Sequence, residues 1–135
     1  MAEQKQIKMD QRGLRRNPNP IREARKMQRL REKGLPSSEI GPRFQLSDSA
    51  VRNKLRLLNL PRFIIAELES GRMPESIGRA LVSLYAIPEK VRERAERHGE
   101  PYSPSSIIRD AISGESSALL SARINKMRVL FHVPY

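Results

Sequence analysis

A chain of 135 residues holds one domain with a modest core and leaves no room for two large ones. Its 38% hydrophobic and 30% charged residues suit a soluble helical domain and are too apolar for full disorder. The lack of cysteine excludes disulfides and thiolate-bound metals, and apolar runs as short as Phe63–Ala66 and Ala118–Leu120 cannot span a bilayer. No apolar segment follows the N-terminal lysines, so no secretory signal is visible and a cytoplasmic location is expected. The net charge of +11 is uneven. Residues 1–60 carry fifteen Lys/Arg against six Asp/Glu, and residues 61–135 carry eleven against nine. A basic half joined to a near-neutral half is the footprint of a face that binds a polyanion, although a solvated charged face gives the same count.

Residues 1–19 are polar and basic and close on Asn17-Pro18-Asn19-Pro20, a sequence that resists helix formation; they are expected to form a flexible arm. Asn19 is a good N-cap with Pro20 at the first helical position, and Ile21, Ala24, Met27 and Leu30 form an apolar stripe that Gly34 ends. Ser37 and Ser38 are expected to cap a short second helix through Phe44, in which Pro42 implies either a kink or a later start. Ser47 or Asp48 caps a third helix to Leu58. Further helices are expected over 62–70, 74–85, 88–98, 103–113 and 116–127, with only a weak strand pattern over 128–133. The fold class is therefore all-α and multi-helical. The expected units are the arm, a domain over 20–99, and C-terminal helices over 100–135, packed on that domain or used for self-association.

The informative stretch is Leu35–Leu60, where two short helices flank a tight turn in the pattern of a helix-turn-helix. In the second of them, Val51, Leu55 and Leu58 share an apolar face. Ser49, Arg52, Asn53 and Arg56 share a polar one. Arginine pairs bidentately with guanine, asparagine with adenine, and serine with bases or phosphates, so this stripe has the chemistry of major-groove reading. An ordinary solvated amphipathic helix shows the same periodicity; the preceding helix, the turn and the basic arm favour DNA. The expected base-reading set is Ser47, Asp48, Ser49, Arg52, Asn53 and Arg56, with Asp48 serving also as a helix-start carboxylate. The expected phosphate contacts are Arg15, Arg16, Ser37, Ser38, Lys54, Arg62 and Arg79.

Other chemistries find little support. His98 and His132 have no neighbours at metal-ligand or triad spacing, and no Gly-rich phosphate loop is present. Glu89, Glu93 and Glu96 alternate with Lys90, Arg92, Arg94 and Arg97 as a solvated ion-paired face. No enzyme, metal or cofactor is expected. Single-stranded or RNA binding usually stacks bases on aromatics, which are only 4% here, and Phe44 and Phe63 fall at expected core positions. A protein–protein adaptor, with Phe131–Tyr135 as a docking tail, is the third class considered.

The run Ser47-x-Ser49-Ala-Val51 followed by Leu55-Arg56-Leu57-Leu58-x-Leu60-Pro61, with the later Gly71…Gly78-Arg79-Ala80-Leu81, resembles the central DNA-binding domain of the ParB/KorB partition proteins. The resemblance covers about half the chain, from Asn19 to Leu84, and Arg15 falls where that family has its linker arginine. It departs at Gln45, where the family usually has glycine, and at Ile77, where it has histidine. The family's N-terminal nucleotide-binding domain is not evident, so a CTP-gated clamp does not carry over. The long C-terminal dimerisation domain is not evident either. The resemblance implies binding of double-stranded DNA at a centromere-like or operator site; the polar stripe and the basic half lead us to expect a homodimer that reads an inverted repeat. The resemblance also implies association with plasmid or nucleoid and a partition ATPase as partner. A transcriptional repressor of KorB type or a nonspecific DNA-binding adaptor is the alternative.

Overall fold

The computed structural model describes residues 19–131, which form eight α-helices and no strand. They are α1 (Pro20–Glu32), α2 (Ser37–Phe44), α3 (Asp48–Leu57), α4 (Arg62–Glu69), α5 (Glu75–Tyr85), α6 (Glu89–His98), α7 (Pro104–Ile112) and α8 (Ser117–Leu130). The helix starts follow local chemistry. The Asn19 side-chain oxygen accepts from the N–H groups of Ile21 and Arg22, at 3.1 and 3.0 Å, with Pro20 at the first helical position. Ser47, Ser103 and Ser116 cap α3, α7 and α8 in the same way.

The second helix departs from expectation. Pro36, extended at φ −76°, holds the N-cap position and makes no side-chain capping bond, so Ser37 and Ser38 lie inside the first turn rather than capping it. Pro42 is accommodated within α2, which ends two residues later. Gln45 then turns left-handed at φ 59°, its N–H donating to the Pro42 carbonyl at 3.3 Å while the Leu46 N–H donates to the Gly41 carbonyl at 2.9 Å. This is a Schellman closure in which a non-glycine residue occupies the left-handed position, at a cost of about 1 kcal/mol. Gln45→Gly is accordingly expected to raise Tm by a few degrees in a calorimetric scan, because Gln45 is exposed and loses no packing.

Two apolar clusters organise the helices. Met27, Ile40, Val51 and Leu55 bring α1, α2 and α3 together, flanked by Leu30, Leu35, Phe44 and Leu46. A larger cluster runs from Ile21 and Leu57 through Ile64, Leu68, Leu81 and Leu84 to Ile107, Leu120, Ile124 and Met127. Helices α7 and α8 thus share the core of the preceding helices. α3 belongs to both clusters, Val51 and Leu55 facing one and Leu57 the other, so its position is set from two sides. Arg123 ties α8 back to α7, donating to Asp110 at 2.7 Å and to the Pro101 carbonyl at 2.8 Å. Hydrogen bonds from Arg123 and then Arg109 hold the Asp110 carboxyl below its usual range.

Two further expectations are corrected. Phe63 is 52% exposed, because the buried stripe of α4 runs through Ile64 and Leu68 and leaves the neighbouring position facing out. The stretch 128–130 continues α8 rather than forming a strand, since Met127 is buried in helical register with Leu120 and Ile124. Tail residues beyond Phe131 lie outside the described residues.

Candidate nucleic-acid interface

Burial of Val51, Leu55 and Leu57 turns the opposite side of α3 outward. Ser49, Arg52 and Arg56 are exposed there and Asn53 is half-buried. The polar stripe is internally ordered: Arg52 Nη2 donates to Ser49 Oγ at 3.3 Å and Arg56 Nη1 donates to Asn53 Oδ1 at 3.0 Å. These bonds join neutral oxygens to guanidiniums and leave the positive charge uncompensated. No carboxylate among the described residues pairs with Arg52 or Arg56. Ser47 Oγ accepts from the Ala50 N–H at 3.1 Å, so its hydroxyl works as the helix cap. Asp48 is exposed in the first turn, where a carboxylate suits the helix dipole.

Arg56 also belongs to the clefts that border α3. On the α5 side, a cleft of about 250 Å³ is lined by Asn53, Arg56, Arg79, Val82 and Ser83. On the α1 side, one of about 280 Å³ is lined by Gln28, Arg31, Arg52, Leu55, Arg56 and Asn59. The expected phosphate contact Arg79 therefore sits beside the polar stripe of α3. Arg62 and Ser38 are exposed at the starts of α4 and α2, with Ser37 half-buried, and none of the three lines either cleft. Arg15 and Arg16 lie outside the described residues.

Lys54 corrects the expected list. It is 7% exposed, and its ammonium contacts Glu75 of α5 at 2.6 Å and Glu23 of α1 at 3.1 Å. A cation held between two carboxylates in the interior does not reach a phosphate. Its role is to tie α1, α3 and α5 together behind the polar stripe of α3. The sequence offered no sign of this pairing, because the three residues are far apart in the chain.

Sequence reasoning also passed over Gln28, Arg31 and Asn59. A signal existed for the first two. Gln28 lies one turn beyond buried Ala24 and Arg31 one turn beyond buried Met27, so the α1 stripe facing α3 ends in polar groups.

Residues 16–98 match the family model described as the ParB HTH domain. This chain belongs to the ParB HTH domain family. Among curated proteins, it is 41% identical over 66 residues to the chromosome-partitioning protein Spo0J of Thermus thermophilus, covering 49% of this chain and 24% of that protein. It is 34% identical over 87 residues to the probable chromosome-partitioning protein ParB of Neisseria meningitidis serogroup A, covering 63% of this chain and 30% of that one. The chain thus matches under a third of the length of these relatives. No solved structure is a significant match. The ParB HTH segment holds α1 to α6 with the whole polar stripe of α3. Helices α7 and α8 lie beyond it, although they complete its larger core.

Proposed function

We propose that this chain is a sequence-specific double-stranded DNA-binding protein of a partition system, reading its site with α3 in the major groove. The observation that carries this is the outward polar stripe of exposed Ser49, Arg52 and Arg56 with half-buried Asn53, whose arginines meet no carboxylate among the described residues. Major-groove edges take such side chains directly, and a good bidentate pair is worth roughly 1–3 kcal/mol of discrimination. Ser47, with its hydroxyl engaged as a cap, and Asp48 stand at the N-terminal end of the same helix, the end that commonly meets base edges. Arg79, Arg62, Ser37, Ser38 and the arm residues Arg15 and Arg16 hold the sugar-phosphate backbone and set the register. Two copies reading half-sites about one helical turn apart would select an inverted repeat. The names of the relatives support chromosome partitioning as the process, with an ATPase partner expected from the family resemblance.

The test is selection from random duplexes at near-physiological salt. Enrichment of an inverted repeat is the expected result; no enrichment, with binding that disappears as salt rises, would reduce the protein to a nonspecific DNA coater. Arg52→Ala and Arg56→Ala should each lower the preference for the selected duplex over a scrambled one by about 10-fold or more. Binding to the scrambled duplex should change much less. An unchanged preference in both variants would remove α3 from base reading.

A further inference from the structure

The cleft between α1 and α3 collects Arg31, Arg52 and Arg56 around a polar opening with Gln28 and Asn59, over a floor that includes buried Leu55. Arg31 is exposed in the last turn of α1, and no carboxylate among the described residues pairs with it. Arg31 brings a third cation beside Arg52 and Arg56, and a phosphate on the Arg31 side of the opening lowers the repulsion among them. Guanidinium groups match phosphate oxygens in a planar fork, and the Asn59 amide adds a neutral donor, while the Gln28 amide is taken up by Glu32 at 3.2 Å.

We infer that this cleft is a phosphate seat, in which Arg31 holds a backbone phosphodiester of the duplex beside α3. The inference rests on the proposed DNA-binding function and adds a second wall to it. With α3 in a groove about 12 Å wide, the two sugar-phosphate backbones run along its two sides. Arg79 faces one backbone from α5, and Arg31 faces the other from α1. Arg56 lines the clefts on both sides and couples base reading to the backbone clamp. A phosphate gripped from α1 carries no base identity, so Arg31 sets affinity and register without setting preference.

The experiment measures binding of the intact chain to its selected duplex and to a scrambled one across a salt series. Arg31→Ala is expected to weaken both alike, by about five- to tenfold near 0.1 M salt, and to flatten the slope of log K against log salt by about 0.9. Arg31→Lys should restore most of the slope, and Arg94→Ala, which removes the same charge from an exposed position on α6, should leave it unchanged. Tm should be the same in all three. The inference is overturned if Arg31→Ala keeps the wild-type slope, if Arg94→Ala flattens it equally, or if the loss falls only on the selected duplex. It is also overturned if inorganic phosphate alone, at constant ionic strength, perturbs the Arg31 side-chain NMR signals as strongly as the duplex does while the slope of Arg31→Ala is unaltered. That result would make the cleft a small-anion site. A wild-type chain that binds no duplex at all is a different result, the failure of the DNA-binding reading itself.

Discussion

Lys54→Ala is expected to destabilise the chain by about 3–5 kcal/mol, because removing one partner of a buried ion pair leaves the other charge uncompensated. Here the loss strands Glu23, 8% exposed, and deprives Glu75 of its 2.6 Å contact. At about 4 °C per kcal/mol for a chain of this size, Tm should fall by about 12–20 °C. A calorimetric scan measures this directly. Lys54→Met combined with Glu23→Gln should recover much of the loss, since both charges leave together and the apolar stem is kept. The same measurements separate the two roles considered for Lys54. A phosphate contact would flatten the salt dependence of DNA binding and spare Tm. A tie among α1, α3 and α5 lowers Tm and, in the folded fraction, leaves the slope intact.

Gly41→Ala should cost about 3 kcal/mol although it places alanine in a helix interior, where intrinsic propensity favours it over glycine by about 1 kcal/mol. The clash outweighs the propensity. A Cβ at Gly41 overlaps the Leu46 carbonyl oxygen, and backbone cannot swing aside as a side-chain tip can. The turn from α2 into α3 folds back onto Gly41, whose carbonyl also accepts the Leu46 N–H, so relief of the clash opens the Schellman closure and shifts the start of α3. Tm should drop by about 10 °C, and discrimination between selected and scrambled duplexes should fall with it. Gly78→Ala is the control: its Cβ would meet only side-chain methyls, Leu68 at 3.0 Å and Leu57 at 3.1 Å, which can shift by a few tenths of an ångström. Its cost should be about 1 kcal/mol. Equal losses in the two variants would mean that the turn tolerates a Cβ at Gly41 by a rearrangement that the described packing does not include.

These two residues mark the boundary between local and tertiary information. The chain's caps, prolines and apolar spacings were enough to determine that residues 20–130 are helical and where the breaks fall within a residue or three, because N-caps, helix stops and the 3.6-residue period are local physics. They also determined which side of α3 is apolar, hence which of its polar residues face out. Tertiary structure alone decided the partners. Lys54 reads as one more cation on a basic helix until Glu23 and Glu75 are brought to it across α1 and α5. Phe63 reads as core until Ile64 and Leu68 claim the buried side of α4. Gly41 reads as a weak helix residue until Leu46 returns to it. Arg31 comes to line one cleft with Arg52 and Arg56 only because the α1–α3 packing carries the end of one helix beside the middle of another. Periodicity fixes which way a side chain points from its own helix; what it meets there depends on contacts between residues far apart in sequence, which no local spacing encodes.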